Sequence, residues 1–150
     1  MPFKQVDISK KPVVYREATA TGRIRLKRST IALIRKGTLE KGDPLALAAT
    51  TAILAVKSTS AIVALAHPLK VEKTEPRVEI GEKWVQVTVK VAAHEKTGVE
   101  MEALTAVSVA LLNIWDVVKA NEKDSKGQYP TTRIESIRVT SKVKRADEAA

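Results

Sequence analysis

Cysteine is absent from the 150 residues, which excludes disulfide bonds and thiolate metal ligands. Histidine is scarce too, with His67 and His94 the only two. Neither forms a metal-ligand spacing with other residues, so no zinc site is expected. One phenylalanine, two tyrosines and two tryptophans are too few for the aromatic platform on which single-stranded nucleic acid stacks. No uncharged run exceeds 13 residues, the length of Pro44 to Val56, short of the roughly 18 to 20 of a bilayer span. No basic, apolar leader opens the chain. A soluble cytoplasmic protein with no membrane partner is therefore expected. There is also no GxxxxGK[ST] or GxGxxG loop, so any phosphate must be held by lysine and arginine side chains.

What the chain does have is charge and a core. Its 26 Lys and Arg against 17 Asp and Glu give a formal charge of +9, which favours an anionic partner such as a phosphate ester or nucleic acid. A solvated basic surface is the other reading. Hydrophobic residues make up 44%, enough for one domain over 1–150, with tails 1–5 and 144–150 expected to be mobile.

Hydrophobic periodicity supplies the elements. Residues 17–26 place Ala18, Ala20, Gly22, Ile24 and Leu26 on one face and Thr19, Thr21, Arg23 and Arg25 on the other, a half-buried strand. Ser29 is positioned to cap a short helix through Ile31, Leu33 and Ile34, ending at Gly37. Asp43 and Pro44 read as N-cap and first residue of an apolar helix to about Lys57. A further turn or two follows over 58–65, before His67-Pro68 breaks it. Residues 70–80 and 83–93 form a hairpin, the latter alternating Val85, Val87, Val89 and Val91 with polar residues. A long helix follows Thr97-Gly98, then a polar loop over 121–130 and a last strand through Ile134, Ile137 and Val139. This order predicts an α+β fold of the ferredoxin-like split βαβ kind, an antiparallel sheet with helices packed on one face. The long helix is apolar nearly all round, which suggests a subunit interface.

Charges interrupt that helix at both ends: Glu100 and Glu102 at its start, Asp116 and Lys119 near its close. Glu102 and Asp116 are separated by about 21 Å at 1.5 Å per residue. They lie in different sites, or a symmetric oligomer brings one chain's end beside its neighbour. Asp116 and Lys119 share a face and can pair, as an ordinary surface ion pair or as chemistry. Lys41-Gly42-Asp43 opens the earlier helix, where backbone N–H groups attract anions. With Asp43 taken as the cap, Lys41 is free to act. Lys57, at that helix's other end, complements its dipole or binds a ligand.

In order along the chain, VDIS at 6–9, Arg16-Glu17-Ala18, Lys41-Gly42-Asp43, AVKST at 55–59, His67-Pro68-Leu69, KTGVEMEALTAVSVA from Lys96 and the later WDVVKA resemble the molybdenum cofactor biosynthesis protein C family (MoaC), the cyclic pyranopterin monophosphate synthases. The resemblance runs from about Val6 to Lys142. It implies a homohexamer built as a trimer of dimers, with active sites at a dimer interface. It also implies conversion of 3′,8-cyclo-7,8-dihydro-GTP to cyclic pyranopterin monophosphate and pyrophosphate. Carried over residue by residue, Lys41, Asp116 and Lys119 are catalytic, with Asp116 orienting Lys119 and burial tuning the lysine for proton transfer. Arg16, Lys57 and Lys142 would neutralise the triphosphate. Leu65, Ala66, His67 and Met101 would contact substrate, and Glu100 and Glu102 would accept from the N–H groups of the guanine-derived ring. No cofactor is expected, with a divalent metal such as magnesium left open. The chain departs from the family where a cysteine usually precedes His67, here Ala66, and where a glycine-rich tail usually follows, here Val143-Lys144-Arg145-Ala146. The competing class is a nucleic-acid-binding module of the same fold, which predicts aromatics on the central strands; residues 83–93 offer only Trp84. An inactive scaffold is a third, against which the retained Lys41, Asp116 and Lys119 argue.

Overall fold

The structure, a computed structural model, describes residues 2–146. Seven elements follow one another: β1 (Val14–Arg25), α1 (Arg28–Lys36), α2 (Pro44–Ile62), β2 (Lys73–Ile80), β3 (Trp84–Glu95), α3 (Glu100–Glu122) and β4 (Arg133–Arg145). The strands form one sheet in the order β2-β3-β1-β4, every neighbouring pair antiparallel. This is the split βαβ arrangement, with α1 and α2 together making the first crossover.

Alternation does what it predicted in the two central strands. Ala18, Ala20 and Ile24 of β1 and Val85, Val87, Val89 and Val91 of β3 are fully buried beneath the helices. The opposite face is polar and internally paired: Thr21 meets Thr88 at 3.0 Å, and Arg23 donates to Gln86 at 2.8 Å. Pro76 lies in β2, an edge strand, where its missing N–H costs no ladder bond. At the other edge, the β1–β4 register shifts between Thr21 and Arg23, with Ser136 at φ 60°. This bulge lies opposite Gly22, where a Cβ would come 2.8 Å from Val107 and 3.0 Å from Ile137 and Leu111. Only glycine lets α3 lie that close to β1.

Helix α2 runs unbroken to Ile62, so the further turn expected over 58–65 is continuous with it, and Ser58 and Thr59 return their hydroxyls to Leu54 O and Ala55 O. Asp43 is its N-cap, accepting from Leu45 N at 2.9 Å. By length and composition alone α2 and α3 could each cross a bilayer, but half of the most apolar stretch of α3 is buried inside the fold. Ser29 does not cap α1; the N-cap is Lys27, with no side-chain cap of its own. The capping acceptor comes from the far end of α3. The buried Glu122 carboxylate accepts from Lys27 N at 3.0 Å, from the Thr30 hydroxyl, and from the Thr132 hydroxyl at 2.6 Å. Strand β4 continues through Lys144 and Arg145, opposite Arg16 and Tyr15, where the sequence reading placed the start of a tail. Residues 1 and 147–150 of the expected tails lie outside the described residues.

Glu122 thus ties α1 and the loop before β4 to α3 with one carboxylate. Glu122→Ala is expected to cost about 3 kcal/mol, since two buried hydroxyls and the part-buried Lys27 N–H lose their acceptor. Urea unfolding should show a lower midpoint at unchanged m; an unaltered midpoint would count against the tie.

Candidate active site

At the C-terminal end of α3 three predicted residues meet. Gly42, at φ 106°, turns the chain just before α2 and sends Lys41 back across the α3 surface. Its Nζ lies 3.0 Å from Asp116 Oδ2 and donates to Asp116 O at 3.2 Å. Lys119 Nζ lies 3.1 Å from Asp116 Oδ1. One carboxylate is therefore held by two ammonium groups, one from its own helix and one from 75 residues earlier. Hydrogen bonds from Lys41 and Lys119 hold the Asp116 carboxyl below its ordinary value. All three side chains are about half exposed: 47% for Lys41, 57% for Asp116 and 44% for Lys119.

At the N-terminal end of α3 lies a hollow of about 440 Å³. Its walls are the start of α3 with Glu100, Met101 and Glu102, the α2–β2 link with Leu65, Ala66 and His67, and the segment ahead of β1. Helix α3 has no side-chain cap at Val99, so acidic residues in its first turn face unpaired backbone N–H groups and the positive end of the dipole. Glu102 is 3% exposed. Burial, reinforced by Glu100 and Glu95, pushes its carboxyl above the ordinary value, against a hydrogen bond from its own backbone N–H. Lys142 Nζ sits 3.2 Å from Glu100 Oε1, an ion pair without hydrogen-bond alignment. His67 Nε2 lies 2.8 Å from Val6 O; since a carbonyl only accepts, the proton is on Nε2.

Predicted residues thus fall into two groups. Lys41, Asp116 and Lys119 form one; Leu65, Ala66, His67, Glu100, Met101, Glu102 and Lys142 form the other. From Glu100 to Asp116 along α3 is about 24 Å, so one protomer does not unite them. Arg16 and Lys57 stand apart. Arg16 is buried at the start of β1, donating from Nη2 to Lys96 O at 3.2 Å while its Nε has no partner among the described residues. Lys57 lines a separate hollow beside Val71 and Thr74, which shares Leu69 with the larger one. It is not at a helix terminus, because α2 continues five residues beyond it. Trp84, the one aromatic of β3 open to a base, is covered by the Arg23 guanidinium at 3.9 Å. The segment 2–13 was missed as part of the cavity: it has no periodicity, and its only signal was the VDIS match.

A model of the MoaC family matches residues 5–144. A protein of Pyrococcus abyssi named "Probable cyclic pyranopterin monophosphate synthase" is 55% identical over 141 residues, 94% of this chain and 89% of its own length. A protein of the same name from Sulfurisphaera tokodaii is 50% identical over 145 residues, covering 97% and 96% of the two chains. Another, from Pyrococcus furiosus, is 55% identical over 94% of this chain and 90% of its own.

The buried Glu102 yields a stability test. Its folded-state pKa is raised, so the native protein binds more protons than the unfolded chain and loses stability as pH rises from the ordinary 4.5 through the raised value. Glu102→Gln, a neutral mimic, should therefore raise the unfolding midpoint at pH 7, with the gain fading below about 4.5. Thermal unfolding of both proteins across that range checks it; a gain independent of pH contradicts the burial argument.

Proposed function

The chain belongs to the MoaC family, and on that premise we propose that it is a cyclic pyranopterin monophosphate synthase, a phosphorus–oxygen lyase of molybdenum cofactor biosynthesis. Its reaction converts 3′,8-cyclo-7,8-dihydro-GTP to cyclic pyranopterin monophosphate and pyrophosphate. The observation that carries the assignment to this chain is the grip of Lys41 and Lys119 on Asp116. A cyclic phosphate and free pyrophosphate arise when a substrate hydroxyl attacks the phosphorus nearest the sugar and pyrophosphate leaves, with the hydroxyl proton taken by a base. Such a reaction needs cations on the phosphate chain and a proton carrier beside the rearranging ring. In this reading Asp116 fixes the Lys119 ammonium, which moves protons, and Lys41 completes the pair. Glu100 and Glu102 accept from ring N–H groups, with Leu65, Ala66, His67 and Met101 shaping the hollow. Arg16, Lys57 and Lys142 meet the phosphates, the buried unpaired Nε of Arg16 being suited to an anion. No cofactor is assigned.

The reading also includes a cytoplasmic homohexamer, a trimer of dimers, with the site shared between subunits and no nucleic-acid or membrane partner. Two features support the sharing. The site's two groups are about 24 Å apart on one helix, and the helix layer leaves Leu54 and Ile62 of α2 and Leu112 of α3 more than half exposed. A second protomer across that layer would cover the apolar surface and bring one chain's lysine cluster toward another's hollow.

Incubation with 3′,8-cyclo-7,8-dihydro-GTP tests the activity, by pyrophosphate release and by the fluorescent pterin formed on oxidising the product. Both should appear, and Lys41→Ala, Asp116→Ala and Lys119→Ala should each lower turnover by about 100-fold or more. Near-normal product from Asp116→Ala or Lys119→Ala would overturn the role assignment. Light scattering should give the mass of six chains.

A further inference from the structure

We propose that residues 2–13, ahead of β1, form a fixed arm of the substrate cavity, and that Lys4 and Lys11 on it bind the phosphate chain. The proposal rests on the synthase reading and adds two residues to it. The arm has no regular secondary structure, yet it is tied down along its length. The Gln5 amide donates to Leu65 O and Ala66 O, both at 3.3 Å. Val6 O accepts from His67 Nε2 at 2.8 Å, and Ser9 O accepts from Lys96 Nζ at 3.3 Å. Asp7 folds the arm locally by accepting from Ser9 N at 2.9 Å. The partners at Leu65, Ala66 and His67 are themselves cavity wall, so the arm is fastened to the site and not to a remote surface.

Charge then indicates what the arm contributes. Among the described residues outside the arm, the carboxylates that line the hollow are Glu100 and Glu102, and the only other titratable wall residue is His67. Such a hollow repels a triphosphate. Lys4 and Lys11 line the same hollow from the arm, exposed, and their ammonium groups have no hydrogen bond or ion pair among the described residues. Lys142, which the synthase reading also gives to the phosphates, starts from an ion pair with Glu100. The arm thus divides the cavity into an acidic floor at the start of α3, suited to ring N–H donors, and a basic wall suited to phosphate oxygens. Gln5, which touches no ligand in this arrangement, is a positioning residue.

The test uses the full chain, its Lys4→Ala/Lys11→Ala double variant, the corresponding Lys→Arg double variant and Gln5→Ala. Inorganic pyrophosphate binding by calorimetry is read beside kcat and KM for the cyclised dihydro-GTP. In the alanine double variant, pyrophosphate should bind about tenfold more weakly and KM rise about tenfold, with kcat within twofold. The arginine variant should restore both, and Gln5→Ala should raise KM without changing kcat. Unchanged pyrophosphate affinity and KM in the alanine variant, or no pyrophosphate binding by the parent chain, overturns the proposal. Absence of turnover in a parent chain that binds pyrophosphate through these lysines would overturn the synthase reading while leaving the arm's role intact.

Discussion

The seating of α3 across the sheet is the contact on which everything else depends. Its buried side chains, among them Val107 and Leu111, come down on β1 at Gly22, and a methyl group at that position would already meet both. Helix α2 is then laid beside α3, with Ala48 and Ala52 in the same buried core as Ala103, Ala106 and Ala110, small side chains that let two helix backbones approach closely. The first crossover is hung from the far end of the same helix, because Glu122 supplies the acceptor that α1 lacks. A single 23-residue helix thus fixes the core, the crossover and, through its length of about 34 Å, the separation of the charged residues at its two ends.

That separation is legible in the sequence, since it follows from residue count and helix rise. The alternation of β1 and β3 was legible for the same reason: a face buried under helices demands small and β-branched residues at every second position, and Val85 to Val91 meet that demand without exception. The cap of α1 was not. Ser29 has the right chemistry at the right place, but Glu122 contributes a stronger, charged acceptor from 95 residues away, and no local pattern announces a partner at that distance. The continuation of α2 past Lys57 was legible as a further turn, since serine and threonine can return their hydroxyls to the preceding turn, as Ser58 and Thr59 do before the helix ends at Ile62.

The candidate site was half legible. Residue types and motif order singled out Lys41, Asp116 and Lys119, and spacing alone paired the last two. The Lys41–Asp116 contact depends on a loop turned by Gly42 and on the packing of α2 against α3, neither of which spacing encodes. The arm was invisible to periodicity because its contacts are main-chain carbonyls met by side chains of Gln5, His67 and Lys96. Such contacts leave no apolar pattern. The nucleic-acid reading weakens on similarly specific ground, since the ring it requires, Trp84, already carries Arg23.

Exposure at the lysine cluster gives the clearest argument about assembly. A lysine gives up its proton near neutral pH when the charged form is desolvated or set beside another cation. In one protomer Lys41 and Lys119 flank Asp116, and both side chains remain about half in water. A neighbouring subunit that closed over this end of α3 would exclude the water, and a bound triphosphate would compete with Asp116 for the two cations. The synthase reading therefore asks for a cover over this end of α3, and the exposed Leu112 on the same helix is apolar surface on which such a cover would rest.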